Sequence, residues 1–124
     1  MRDYSPIDAA SEILNDVPEI VLIFSIDGRY LFVNRRAAEF LGADAFDVIG
    51  NHWRDLGYPE EIMEPLLSRV EATAARGQHD RYRLTTTPQR GSRVLDVSLT
   101  PLDGDSDAVY AVLFIAHDIT EFVR

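Results

Sequence analysis

Hydrophobic residues along the chain change their spacing several times, and each change predicts an element. Ile7, Ala10, Ile13, Leu14 and Val17 recur at helical spacing, so residues 7–16 read as an amphipathic N-terminal helix that ends before Pro18. From Glu19 to Ile26 the chain is almost continuously apolar, as a strand covered on both faces would be. Asp27-Gly28 is the strongest short hairpin signal, and Tyr30 to Val33 is its return strand. Asn34 is placed to cap a short helix carrying Ala37, Ala38, Phe40 and Leu41, which Gly42 stops. Two Gly-punctuated helical turns follow, Ala45 to Ile49 and Asn51 to Leu56. Pro59 opens a longer helix, with Glu60 and Glu61 at its positive end, an apolar stripe of Ile62, Met63, Leu66, Leu67, Val70 and Ala74, and Gly77 as its stop.

Three alternating segments complete the pattern. Tyr82, Leu84 and Thr86 oppose Arg81, Arg83 and Thr85; Leu95, Val97 and Leu99 alternate with Asp96, Ser98 and Thr100; Val109 to Ala116 is a final apolar run. Turns at Gln89-Arg90-Gly91-Ser92 and Asp103-Gly104-Asp105-Ser106 separate them. Strands at both ends of a helical middle predict the α+β class with an antiparallel sheet.

A length of 124 residues suits one domain, and 46% hydrophobic residues support an ordinary core. No apolar stretch reaches the roughly 18 residues of a membrane span, and the N-terminus has no signal-peptide core. The absence of cysteine excludes disulfides, thiolate chemistry and a flavin–cysteinyl adduct, and fits a cytosolic protein. A net charge of −9 argues against a nucleic-acid partner; all 12 basic residues are arginine, scattered along the chain.

Four segments in order, Ile26-Asp27-Gly28-Arg29-Tyr30-Leu31-Phe32-Val33-Asn34, Ala37-Ala38-Glu39-Phe40-Leu41-Gly42, Val48-Ile49-Gly50 and Asp118-Ile119-Thr120-Glu121, resemble the PAS family over about residues 10–121. The resemblance implies a five-stranded antiparallel sheet in the order 2-1-5-4-3, helices packed on one face, and an N-terminal helix on the other. It divides the chain into a cap or dimerisation helix (1–17), the PAS domain (18–120) and the start of an output helix (121–124). It also implies that any ligand lies between sheet and helices. Aligned on the family pattern, Leu22, Phe24, Leu31, Val33, Leu84, Thr86, Leu95, Val97, Leu99, Val112, Phe114 and Ala116 point that way. The expected pocket is Leu22, Phe24, Val33, Phe40, His52, Trp53, Leu66, Thr86, Val97, Phe114 and Ala116. Its lining suits a small apolar or aromatic ligand, with Thr86 and His52 as polar handles. The alternative is a ligand-free interaction module in which Phe24, Phe40, Trp53 and Phe114 fill the space. His52 and Trp53 have a plain reading too, as a core tryptophan beside a half-exposed histidine.

The opposite face carries Val21, Ile23, Tyr30, Phe32, Leu113 and Ile115, so something must cover it. The N-terminal helix, through Ile7, Ile13 and Leu14, covers Val21, Ile23, Phe32 and Ile115 either alone or within a homodimer. The family's haem-binding members use a histidine on the long helix, and residues 59–76 contain none, so haem is not expected. No metal-ligand spacing, catalytic triad signature or phosphate loop is present, and no catalysis is expected of this chain. The ligand or cofactor, if any, stays open. Asp118, Ile119 and Thr120 carry the stronger functional signal: a polar cap between the last strand and an exit helix, which the resemblance makes a transmission point to a downstream effector. A histidine kinase is the first candidate for that effector, with a diguanylate cyclase or phosphodiesterase next.

Overall fold

A computed structural model describes residues 13–86, 92–103 and 108–122. The hairpin forms from β1 (Ile20–Ser25) and β2 (Tyr30–Val33). Its loop is three residues long, because Ser25 N–H bonds Arg29 O at 2.9 Å and Gly28 takes φ +99°. That is the geometry of a turn closed by a left-handed residue, which explains the glycine. Helices α1 (Arg35–Leu41) and α2 (Ala45–Val48) follow, then the long α3 (Glu60–Arg76), and β3 (Asp80–Thr85), β4 (Val94–Asp103) and β5 (Val109–Asp118) complete the sheet. The strand order is β2-β1-β5-β4-β3 with every pairing antiparallel, as the resemblance implied. The turn expected at Gln89 to Gly91 and most of that at Asp103 to Ser106 lie outside the described residues, as does Ile7.

Faces follow the alternation on β3, β4 and β5 but not throughout β2. Leu22 pairs with Val33 and Ile23 with Phe32, but Phe24 pairs with Tyr30, so the register slips past Leu31. A bulge reverses alternation beyond it. Tyr30 therefore turns into the core beneath the helices, its ring 4.8 Å from that of Phe24, and Leu31 packs on the outer face. This corrects the expected placement of both residues.

The inner core lies between the sheet and α1 to α3. Phe24, Val70, Val97, Leu99 and Val112 are wholly buried there. On α3 the buried positions are Met63, Leu67, Val70 and Thr73; Ile62 is half-exposed, so the stripe runs slightly off the expected one. Pro59 is the cap before this helix, not its first residue. The outer face has a smaller core of Val21, Ile23, Phe32 and Ala111, with Leu14, Val17, Leu31, Leu113 and Ile115 around it. Of the N-terminal residues, Leu14 and Val17 cover this face, whereas Ile13 is 70% exposed.

Asn34 ties these parts together. Its Oδ1 accepts from Ala37 N–H at 2.8 Å, the cap of α1, and from Val21 N–H at 3.1 Å; its Nδ2 donates to Leu14 O and Glu19 O, both at 2.9 Å. Its N–H donates to Val21 O at 3.0 Å while its own carbonyl opens α1 by accepting from Ala38 N–H. The side-chain oxygen thus replaces the backbone carbonyl that a continuing strand would have offered Val21. The chain turns from strand to helix with no buried group left unpaired at this point.

Candidate functional site

Two places carry the candidate residues, the loop around His52 and the end of β5. The segment expected as a second helical turn, Asn51 to Leu56, does turn, with Asp55 N–H donating to His52 O at 3.0 Å and Leu56 N–H to Trp53 O at 3.3 Å, and its first residues also pair back onto the hairpin. Tyr30 N–H donates to Asn51 O at 3.0 Å, Gly50 N–H to Tyr30 O at 2.6 Å, and Arg29 bridges with His52. Trp53 is buried, and its N–H reaches Gly28 O at 3.3 Å. A Cβ on Gly28 would stand 3.0 Å from both His52 Nε2 and Trp53 Cδ1, so the hairpin needs glycine here for space as well as for φ.

His52 stacks on Trp53 with ring centroids 5.5 Å apart. Arg54 N–H donates to His52 Nδ1 at 3.1 Å, which requires a lone pair on that nitrogen. The ring proton then resides on Nε2, which donates to Asp27 O at 2.7 Å. Arg54 also lays its guanidinium 5.0 Å from the Trp53 ring centroid and lies 3.7 Å from Glu64. The Ser25 hydroxyl, bonded to Asp27 Oδ1, holds that carboxyl below the usual carboxylate value, against the opposing effect of desolvation. Between this loop and α3 opens a cleft of about 390 Å³ lined by Asp27, His52, Trp53, Arg54, Glu64, Leu67, Ser68 and Glu71. Its lining is mostly polar and charged, and of the residues expected to form a pocket it contains His52 and Trp53.

The structure brings Leu22, Phe24, Val33, Trp53, Val97, Phe114 and Ala116 into one buried cluster, with Phe40 and Leu66 half-buried against it. Phe24 meets Phe114 edge-on at 6.2 Å, and Tyr30 meets Tyr58 at 6.0 Å. Burial pushes the Tyr30 phenol well up, and its hydroxyl lies 3.9 Å from Met63 Sδ. Tyr30 is thus a core aromatic that the alternation had assigned to the other face. His52 lies at the rim. Thr86, half-buried just past β3, accepts from Arg93 N–H at 2.9 Å and closes that end of the β3–β4 ladder. Among the described residues, no group of three His, Asp or Glu is arranged to hold a metal ion, and no helix is long and apolar enough to cross a membrane.

At the end of β5, Asp118 Oδ1 accepts from Thr120 N–H at 3.0 Å and from the Thr120 hydroxyl at 2.5 Å. Thr120 Oγ1 in turn accepts from Val94 N–H at 2.9 Å, and Ile119 N–H donates to Val94 O at 2.9 Å. Arg93 stands 3.7 Å from Asp118. Burial works to raise the Asp118 pKa, but the Thr120 hydroxyl and N–H, with Arg93 and Arg36, outweigh it and hold the carboxyl low. The result is a clamp between the first residues of β4 and the last of β5, leading into a single 3₁₀ turn, Thr120–Phe122. The Asp-x-Thr pattern is legible in sequence; its partners Arg93 and Val94 are not.

The chain matches the family model described as the PAS fold over residues 14–124. Among curated proteins, none is similar enough in sequence to count as a match. Several solved structures share the architecture. VqmA of Vibrio cholerae superposes with a TM-score of 0.78 at 15% identity, covering 90% of this chain and 50% of VqmA. The PAS domain of Bordetella pertussis BvgS gives 0.74 at 21% identity, covering 90% of this chain and 85% of that domain. The PAS domain of histidine kinase ThkA gives 0.65 at 20% identity, covering 81% and 99%. This chain thus spans about half of VqmA but nearly all of the isolated domains. At such identities the structures speak for fold alone, while the family match, together with the strand order and the junction that the motifs implied, shows that the chain belongs to the PAS-fold family.

Proposed function

We propose that the domain is a sensory or input module that passes a conformational state from its sheet to an effector following β5. The observation that carries this is the Asp118–Thr120–Val94 clamp. Ala116 is packed in the inner core, His117 is exposed on the outer face 3.9 Å from Glu19, and the clamp follows at once. Any change in how β4 and β5 lie would be felt first at the residues leaving the sheet, which is what population shift between two arrangements requires. Likeness to domains of histidine kinases supports a kinase as the effector, with a diguanylate cyclase or phosphodiesterase as the next candidate. VqmA, which shares the fold, is described as a dimer and as bound to DPO; these descriptions favour ligand sensing and self-association here as well. On the outer face Val21, Ile23, Phe32 and Ala111 are each at most 4% exposed, and the half-buried Leu31, Leu113 and Ile115 around them are where a second copy would seat in a homodimer.

The test is a double substitution, Asp118→Ala with Thr120→Ala, in the chain joined to its effector. The domain should remain folded by circular dichroism while the effector loses its response. A full response in that variant would remove the transmission role.

A second reading is favoured by the packing of the inner core. Phe24, Tyr30, Trp53 and Phe114 are each at most 4% exposed, so side chains occupy the place where a ligand was expected. On that reading the module works through partner contacts alone. The absorption spectrum and native mass of the purified protein separate the two. A co-purifying small molecule supports sensing, whereas an apo mass with no thermal response to a metabolite panel supports the interaction module.

A further inference from the structure

The cleft between the hairpin loop and α3 has one helical wall and one loop wall. Glu64, Leu67, Ser68 and Glu71 recur at the spacing that sets residues on one face of α3, a stripe about 10 Å long. Asp27, His52 and Trp53 stand opposite. Trp53 is 4% exposed, yet its indole N–H bonds to none of the described residues. The unpaired side-chain atoms sealed from solvent are, among the described residues, the Thr73 and Tyr82 hydroxyls. The indole N–H is unpaired but not among them, so it keeps an accessible surface. A Cβ on Gly28 would come within 3.1 Å of Trp53 Nε1 and 3.0 Å of His52 Nε2, and Nε2 meets Asp27 O at 2.7 Å. The N–H edge therefore lies at the seam where Asp27, His52 and Trp53 line the cleft. Indole donates only, and a buried tryptophan N–H usually has a partner, so the fitting partner is an acceptor that enters from the cleft.

The neighbouring charges show what must accompany that acceptor. Three carboxylates, Asp27, Glu64 and Glu71, outnumber the single guanidinium of Arg54 in the lining. Asp27 is held by the Ser25 hydroxyl and lies 3.8 Å from Arg29, and Glu64 lies 3.7 Å from Arg54. Both ring nitrogens of His52 are engaged. Glu71 is exposed and enters no ion pair among the described residues. A simple anion could accept from the indole but would meet an excess of negative charge. A simple cation would pair with Glu71 and leave the indole N–H without a partner. The group that meets both needs carries an ammonium beside an oxygen acceptor. Arg54, 5.0 Å from the Trp53 ring centroid, stands close enough to the indole to share that acceptor.

We propose that this cleft binds a small ligand joining an ammonium group to an oxygen acceptor, an amino acid or an amino alcohol, with its oxygen on the Trp53 indole N–H and its ammonium on Glu71. This names a ligand class for the sensory reading and rests on that reading only in making the ligand a signal. Binding is measured on the full chain without an effector, so its failure and a failure of transmission are separate results. Trp53 is the single tryptophan, so the protein has one indole N–H resonance by NMR. The chain is titrated with glycine and, separately, with ethanolamine, methylamine and acetate, each against sodium chloride at matched ionic strength. A saturable downfield movement of the indole resonance is expected with glycine or ethanolamine, and whichever binds more tightly tells an amino acid from an amino alcohol. Methylamine, which lacks the acceptor, and acetate, which lacks the ammonium, should each bind about tenfold more weakly or worse, the scale of one charge-assisted hydrogen bond. Glu71→Gln, at an exposed position, should leave the fold intact and weaken the better ligand by a similar factor. No saturable movement with glycine or ethanolamine, equal affinity for methylamine or acetate, or unchanged affinity in Glu71→Gln overturns the proposal.

Discussion

Substituting alanine for Asn34 removes four hydrogen bonds at a residue that is wholly buried. Their loss is unequal. Leu14 O and Glu19 O belong to half-buried residues that water can reach, so losing the Asn34 amide costs them little. The N–H groups of Val21 and Ala37 sit in residues 1% and 0% exposed, where water does not easily replace the lost acceptor. A stranded buried donor costs about 1–3 kcal/mol, and loss of a helix N-cap about 1 kcal/mol. Taking about 2 for Val21 and about 1 for Ala37 gives roughly 3 kcal/mol, or a fall in melting temperature of roughly 10 °C for a domain of this size. Trp53 is the single tryptophan and lies in the core, so its fluorescence follows denaturant unfolding directly. Hydrogen exchange at the Ala37 amide should rise in the same variant. Asn34→Asp sharpens the test, because it keeps the acceptor for Val21 and Ala37 but sets an oxygen against two carbonyls. Its penalty should shrink in acid, where a protonated carboxyl again has a proton to donate. A loss below about 1 kcal/mol in Asn34→Ala, a typical single-bond effect, with unchanged protection at Ala37, would refute the claim that this side chain holds the strand-to-helix turn.

Other consequences are open to equally direct measurement. Gly28→Ala places a Cβ 3.0 Å from His52 Nε2 and Trp53 Cδ1 at φ +99°, and should cost about 2–3 kcal/mol by denaturant titration. Gly42→Ala, at φ +67° in open space, serves as its control and should cost only about 1–2 kcal/mol. Because the Asp118 carboxyl is held low, its stabilising effect is present above the unfolded carboxylate pKa and lost as pH falls through the lowered value. Stability curves of the wild type and of Asp118→Asn should therefore differ at neutral pH and converge in acid; parallel curves throughout would contradict the clamp. Deleting residues 1–12 leaves Leu14 and Val17 seated and, if the chain dimerises through its N-terminal segment and outer face, should convert a dimer to a monomer by light scattering. A full-length chain already monomeric at high concentration removes the homodimer from the proposed function.

What the sequence by itself determined was set by short-range geometry. Asp27-Gly28 demanded a turn because a residue with positive φ is needed there, Asn34 capped α1 because its oxygen reaches an amide three residues on, and Gly42 and Gly77 ended helices in the left-handed region. Alternation on β3 and β4 gave their faces for the same reason: two residues per repeat is a property of the strand itself. The tertiary structure decided whatever depends on a partner distant in the chain. The bulge past Leu31 sent Tyr30 inward and Leu31 outward, and nothing within Tyr30 to Val33 signals it, because it arises from pairing with β1. Asn34 was legible as a cap but not as the acceptor for Val21 or the donor to Leu14 and Glu19. His52 and Trp53 stood out as a pair, yet only folding placed them against Gly28 and turned one into a buried wall and the other into a hydrogen-bond bridge. Asp118 and Thr120 announced a cap from spacing alone. That they fasten β5 to the first residue of β4, 26 positions away, needed the sheet to close, since a hydrogen bond across that separation leaves no periodic trace in the sequence.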